Sequence, residues 1–172
     1  ELARFLGDED EGVCQAALGA LRQLGPAAGA HAGALAKRLK HKDEAVRQAA
    51  CEALGALGPA AVLEHAPALV ARLEDKEEDV REAACRALAA LGSGASPELS
   101  SAIAARLDDG DSDVRRAACE ALGALGPAAA PHAAALAECL EDGDPEVCAA
   151  ARRSIDNTEL DALVHELRSP RP

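Results

Sequence analysis

Six cysteines stand at Cys14, Cys51, Cys85, Cys119, Cys139 and Cys148, and Cys51, Cys85 and Cys119 follow one another at intervals of 34 residues. Thiols at a fixed interval could form a ladder for metal binding or redox exchange. His31, His65 and His132 also share one recurring position, with Leu99 in the fourth place of the series, and imidazole is the commonest metal ligand. The interval itself argues against both ladders. Equivalent residues of stacked helical units sit about one interaxial distance apart, roughly 8–10 Å, which is beyond disulfide reach. No C-x2-C spacing supplies a zinc site either. The recurring thiols therefore read as small buried packing groups suited to a reducing compartment inside the cell, cytoplasm or organelle interior. The histidines read as partly exposed helix residues. Cys139 and Cys148 flank one turn, and theirs is the approach that could make a bridge or a reactive pair.

Other chemistry is sparse. No serine or cysteine nucleophile has a recognisable His/Asp set, and no glycine-rich phosphate loop is present. Carboxylates crowd the polar turns, where solvent and helix capping account for them, whereas a glycosidase-type pair needs a pocket. The expectation is no enzyme activity, no catalytic residue, no metal and no cofactor.

Composition points the same way. The chain is 49% apolar but 1% aromatic, with Phe5 as the sole aromatic residue among 172. Such a chain buries area by close approach of small-faced helices, not by filling a thick core with large side chains. A deep small-molecule pocket, usually walled by aromatic and bulky apolar groups, is disfavoured. The formal net charge of −12 opposes nucleic-acid binding, which rests on neutralising phosphates, and opposes docking on anionic lipid. No run of eighteen apolar residues is present, so no direct membrane insertion is expected. The chain contains no Met and opens in mid-pattern with "ELARFL", which suggests a piece of something longer or a processed form.

The elements that position these residues are repeats. "VRQAACEALGALGP" at 46–59 and "VRRAACEALGALGP" at 114–127 differ only at Gln48 against Arg116. Anchored on the valine after each acidic turn, the series runs Val13, Val46, Val80, Val114 and Val147, with spacings of 33, 34, 34 and 33. Five units fill the chain, at about 1–26, 27–59, 60–93, 94–127 and 128–157. Within the second, Val46, Ala49, Ala50, Ala53, Leu54 and Leu57 form one apolar stripe of an α-helix, helix B. Gly58-Pro59 ends it, and "AGALAKRLK", with Leu35 and Leu39 at i, i+4, makes the partner helix A. Asp10, Asp43, Asp111 and Asp144, with Glu77 in the third unit, stand three residues before each valine, where they suit a cap on helix B and the positive end of its dipole. Two helices this thin cannot close a core alone, so stacking is obligatory; five pairs would make a slab on the order of 50 Å long. Val46, Leu54, Leu57 and their equivalents are expected to be buried. A last segment, "TELDALVHEL", begins with a Thr158-x-x-Asp161 cap and is expected to form a terminal helix over 158–168.

These phrases, and "LEDKEEDVREAACRALAALG" above all, resemble HEAT repeats, in particular the short alanine-rich variety also seen in phycobilin-lyase-type proteins. The resemblance covers the whole chain as a single domain. It implies an all-α, right-handed α-solenoid of the armadillo-like class, with helix A outside and helix B lining the concave side, whose surfaces bind other proteins. The outer units depart from the pattern: Cys14 and Cys148 replace the arginines that follow the valine at Arg47, Arg81 and Arg115, and the fifth unit lacks the "LGP" turn.

Where buried positions repeat, the outer stripe of helix B varies. It reads Gln15, Gly19, Arg22; Gln48, Glu52, Gly55; Glu82, Arg86, Ala89; Arg116, Glu120, Gly123; Ala149, Arg153, Asp156. A copied scaffold with an individually tuned surface is the expected pattern for a protein-binding scaffold within a larger assembly. The candidate partner-binding residues are Gln48, Glu52, Glu82, Arg86, Arg116 and Glu120. A phycobilin-lyase-like chromophore-attachment or chaperone role is the alternative that the resemblance raises, and the lack of aromatic residues speaks against it. One further spot differs in charge: the second turn reads "KRLKHK" at 37–42 where the others are acidic. Finally, Arg47, Arg81 and Arg115 sit near the start of helix B, where the dipole does not favour a cation, and are expected to reach acidic groups of neighbouring turns such as Asp43, Glu77 and Asp111 as exposed pairs.

Overall fold

The structure is a computed structural model that describes Phe5, Leu6, Asp8 and residues 10–157. The proposed terminal helix at 158–168, with Thr158 and Asp161, lies outside the described residues. The α-helices are α1 (Glu11–Leu24), α2 (Ala32–Arg38), α3 (Glu44–Ala56), α4 (Pro59–Val70), α5 (Glu78–Ala89), α6 (Pro97–Ala104), α7 (Ser112–Leu125), α8 (Ala133–Glu138) and α9 (Pro145–Asn157). Helices α1, α3, α5, α7 and α9 are the B helices. The A segments are mixed, because 3-10 turns at Gly25–His31, Ala71–Glu74, Gly92–Gly94, Gly126–His132 and Cys139–Glu141 precede or follow their α-helical parts. No strand occurs among the described residues. The chain adopts the all-α helical-repeat class.

It divides into two compact bodies, one ending at Leu91 and one beginning at Gly92. In the N-terminal body α1, α3 and α5 pack in succession, with α2 against α3 and α4 against α5. In the C-terminal body α7 packs on α9, α6 against α7 and α8 against α9.

Four of the five B helices start on the same device. Asp10 accepts from the backbone N–H groups of Gly12 and Val13 at 2.9 and 3.2 Å, Asp43 from Val46 at 3.0 Å, and Asp111 from Asp113 and Val114 at 3.0 and 3.2 Å. Asp144 accepts from Glu146 at 2.8 Å. Glu77, one methylene longer, makes no side-chain cap. Each of the four aspartates satisfies donors that the first helical turn leaves without partners. The B-to-A junctions turn at Gly25, Gly58, Gly92 and Gly126, all at positive φ between 53° and 94°, where a Cβ would be strained.

The stripe of apolar positions is the core: Val46, Val80, Val114 and Val147 are buried, as are Leu21, Leu54, Leu88, Leu122 and Ile155. The first repeat breaks the expectation. Val13 and Leu24 are 36% and 52% exposed, while their equivalents Val46 and Leu57 are 0% and 5%. No B helix precedes α1 among the described residues.

Two glycines that the sequence places on the outer stripe belong to packing instead. A Cβ on Gly55 would lie 3.0 Å from the Cα of Ala87, and one on Gly123 would lie 2.6, 2.8 and 2.9 Å from Oγ, Cβ and Cα of Ser154. In both cases the ninth residue past one valine meets the seventh past the next. Ser154 is buried and donates to the carbonyl of Cys119 at 2.7 Å, so it cannot give way freely. Gly123→Ala is therefore expected to destabilise by about 1–3 kcal/mol through overpacking. Gly19→Ala, where a Cβ meets nothing within 4 Å, is expected to stabilise by about 0.5–1 kcal/mol through helix propensity. Thermal unfolding of the two variants checks the contrast in sign.

Candidate functional site

The side chains of the B-helix stripe pair with one another. In the N-terminal body Gln48 donates to Glu52 at 3.3 Å, and Glu52 forms an ion pair with Arg22 of α1. Glu82 and Arg86 pair at 2.6 Å along α5. A groove of about 290 Å³ runs between α1 and α3, with Gln15, Arg22, Gln48 and Glu52 on its walls. It is open because Gly19, Ala45 and Ala49 supply no bulk there. In the C-terminal body Arg116 pairs with Asp113 at 2.5 Å and reaches Glu146 at 3.8 Å, and Glu120 pairs with Arg153 of α9 at 3.3 Å. The structure thus brings Gln48 and Glu52 together, Glu82 with Arg86, and gives Arg116 and Glu120 separate partners on α9. The surface is polar, charge-balanced and without an aromatic anchor. That chemistry suits an extended polar contact more than a compact hot spot.

Beside the stripe runs a buried ion-pair system whose acceptors differ from those expected. Arg47 donates Nε and one terminal nitrogen to Asp75 at 2.9 and 2.8 Å, and its other nitrogen to the carbonyls of His41 and Lys42 at 3.0 Å each. Arg115 repeats the arrangement with Asp142 at 2.8 and 3.0 Å and the carbonyl of Asp109 at 2.9 Å. Arg81 donates to the carbonyls of Asp75 and Lys76. For Arg47 and Arg115 the carboxylates of the neighbouring turns are therefore Asp75 and Asp142, while Asp43 and Asp111 are engaged as helix caps. Nor is the first pair exposed: the Arg47 and Asp75 side chains are 5% and 4% accessible.

The residue five before each valine carries a second role that sequence reasoning missed. Asp8, His41, Asp75, Asp109 and Asp142 each accept the backbone N–H two residues on, at 3.0, 3.2, 3.3, 3.1 and 2.8 Å. Its recurrence in four of five repeats as Asp was the available signal. Burial works to raise the Asp75 pKa, but the hydrogen bonds from Arg47 and the Glu77 backbone and the charges of Arg47 and Arg72 outweigh it and hold the carboxyl below its ordinary value. For Asp142 the hydrogen bond from Arg115 is the largest cause of the same downward shift.

The thiols behave as packing groups. Cys14, Cys51, Cys85, Cys119 and Cys139 are buried and all six are free. Burial pushes Cys51 up to about 12. A hydrogen bond with Cys139, the largest cause, and burial raise the Cys119 thiol. Cys148 instead donates to the carbonyl of Asp142 at 3.2 Å, the same bond that arginine makes to its own turn in the inner repeats. His132 sits 3.2 Å from the buried Ser100 hydroxyl, and burial lowers its pKa. Among the described residues no group of three or more His, Cys, Asp or Glu side chains could hold a metal ion. No described helix is long and apolar enough to cross a membrane.

Known proteins supply the frame for this arrangement. A HEAT-repeat family model matches residues 1–66, 32–109 and 66–156. No curated protein matches the chain. Among solved structures, a designed armadillo repeat protein is 22% identical with a TM-score of 0.71, over 97% of this chain and 87% of that one. A second designed armadillo repeat protein, in complex with a (KR)4 peptide, is 22% identical with a TM-score of 0.67, over 91% and 80% of the two chains. The complex of CpcE and CpcF of phycocyanin lyase from Nostoc sp. is similar at 25% identity with a TM-score of 0.76, over 96% of this chain and 66% of that one. With repeat spacing, capped B helices, glycine junctions and the family match in agreement across nearly its whole length, the chain belongs to the HEAT-repeat family.

Proposed function

We propose that the chain is a non-catalytic protein-interaction scaffold, a subunit of a larger assembly, whose protein partner binds along the B-helix stripe. One observation carries the reading: within the B helices the buried positions are copied, while the outward residues of the stripe vary from repeat to repeat. Gln48, Glu52, Glu82, Arg86, Arg116 and Glu120 are the contact residues in this reading. Their present ion pairs are largely exposed and each is worth about 0–1 kcal/mol, so an incoming polar chain can exchange them at small cost. The expected occupant is an extended segment bearing both signs of charge, and nucleic acid is disfavoured by the chain's own −12. No cofactor is required.

The second reading is a phycobilin-lyase-like role, favoured by the similarity to the CpcE–CpcF complex. Against it, the groove on the stripe is lined by Gln, Arg and Glu together with Gly, Ala and Leu18, with no aromatic group to hold a tetrapyrrole. A bilin absorbance titration separates the two: an unchanged spectrum is expected, and a bound, shifted band would favour the lyase-like role.

A photo-reactive residue placed at Gln48, Glu82 or Glu120 tests the scaffold reading. Cross-linking of a captured partner from these positions, and not from the exposed Glu64 on helix A, is expected. Cross-linking from Glu64 alone would move the interface to the other side of the repeats.

A further inference from the structure

The turns of the second and third repeats enclose a recess of about 350 Å³ on the edge of the N-terminal body, away from the B-helix stripe. Four cationic side chains line it, Lys42, Arg47, Arg72 and Lys76, against two carboxylates, Glu74 and Asp75. At the equivalent positions of the fourth and fifth repeats stand Gly110, Arg115, Cys139 and Gly143, with Asp109 in the place of His41. The same backbone thus carries a positive set in one body and a negative set in the other, within a chain of net charge −12.

The positive set is not neutralised from within. Asp75 is the one buried carboxylate there, and it is shared by two guanidinium groups: Arg47 takes both oxygens and Arg72 donates to one at 2.9 Å. In the C-terminal body Arg115 and Asp142 pair at 2.8 Å, and the place of Arg72 is taken by a thiol. The Nε–H of Arg72 is shut off from solvent with no hydrogen-bond partner among the described residues, as are those of Arg38 and Arg106 at the same place in their repeats, so that atom is not what a ligand would meet. Lys42 and Lys76 pair with Glu11 and Glu77 at 3.1 and 2.9 Å. These pairs are held by lysines that are 79% and 74% accessible, a setting in which ion pairs are weak and easily exchanged. A recess lined by four cationic side chains and two carboxylates, Glu74 and Asp75, favours a further anion, and the three donors of each lysine ammonium can share its oxygens.

We propose that this recess binds an oxyanion group, carboxylate or phosphate, carried by an acidic peptide segment. Arg72, whose side chain is 22% accessible, adds its charge at the wall, and Lys42 and Lys76 close over the group from either side. The site is independent of the B-helix reading, and its success or failure leaves that reading untouched.

The test is fluorescence anisotropy on the full chain at low ionic strength, with a labelled phosphoserine peptide, its unphosphorylated form and a glutamate-rich peptide, and with inorganic phosphate as competitor. Binding of an anionic peptide, weakening as salt rises, is expected. Lys76→Glu is expected to weaken it by about tenfold, whereas Arg152→Glu, an equal change of net charge on an exposed residue of the C-terminal body, leaves it within about twofold. Both sites are exposed, and circular dichroism confirms that each variant keeps its helices. Displacement by inorganic phosphate assigns the phosphate class; retention of the glutamate-rich peptide against phosphate assigns the carboxylate. Failure of all three peptides to bind, or equal losses in Lys76→Glu and Arg152→Glu, would overturn the site.

Discussion

Asp75→Ala is expected to lower the unfolding free energy by about 3–5 kcal/mol, the range for removing one partner of a buried ion pair. The loss would arise less from the missing bond than from what remains. Arg47, 5% accessible, and Arg72 would be left together in a partly dry site without their shared carboxylate. The backbone N–H of Glu77 would also lose its acceptor. Asp142→Ala is expected to cost less, because the Arg115 and Asp142 side chains are 19% and 12% accessible and water can replace the lost oxygens. Chemical denaturation of the two variants measures the difference. The same carboxylates set an acid limit. Both have folded-state pKa values below the ordinary one, so the unfolded chain takes up protons first as pH falls. Their stabilisation is complete above the unfolded value of about 3.9 and is lost progressively as pH drops below it toward the folded value. Asp75→Ala should accordingly flatten the acid limb of the stability profile.

Leu88→Ala tests the copied core in the same currency of unfolding free energy. Leu88 is fully buried in α5, on the stripe eight residues past Val80. Truncation removes its transfer free energy and leaves a cavity, at an expected cost of about 2–5 kcal/mol. A thin core of alanine and leucine has few large neighbours able to collapse into the space. Leu24→Ala, at the exposed end of α1, is the control and is expected to cost under about 0.5 kcal/mol. Equal effects in the two variants would mean that the repeat stripe does not define the core.

The stripe itself was legible because helical periodicity and the 33–34 residue interval reinforce each other: Val46, Leu54, Val114 and Leu122 could be placed from the sequence. So could Asp10, Asp43 and Asp111, whose type and offset state a helix cap. Other features needed coordinates. Gly55 and Gly123 fall on the outward angle of a helical wheel, but a wheel has no neighbour, and only the approach of Ala87 and Ser154 shows why those positions lack a side chain. Arg47 reaches an acidic group of the neighbouring turn, as expected, but the carboxylate is Asp75 and not one of those at the cap position. The carboxylate five before the valine recurs just as regularly, and it faces the arginine of the repeat before. That register also explains an apparent irregularity. Cys14 interrupts the arginine series where His41 interrupts the aspartate series, so the junction of the first two repeats lacks both charges at once. The exposure of Val13 was not legible at all, since nothing in one repeat says what covers it.

For the candidate site, residue types were legible and their mutual engagement was not. Glu52 with Arg22, and Glu120 with Arg153, are ion pairs between repeats; each side chain alone looks free on a helical wheel.

The most direct measurement of the central claim is partner binding by three forms of the chain side by side: the wild type, Arg86→Glu with Arg116→Glu, and Lys37→Glu with Lys40→Glu. Each pair changes net charge equally, and all the substituted residues lie outside the buried core. If the B-helix stripe holds the partner, the first double variant loses affinity by faster dissociation, and the second mainly alters association rate and salt dependence. Full binding by the Arg86/Arg116 variant together with loss in the Lys37/Lys40 variant would contradict the assignment and place the partner on the basic turn.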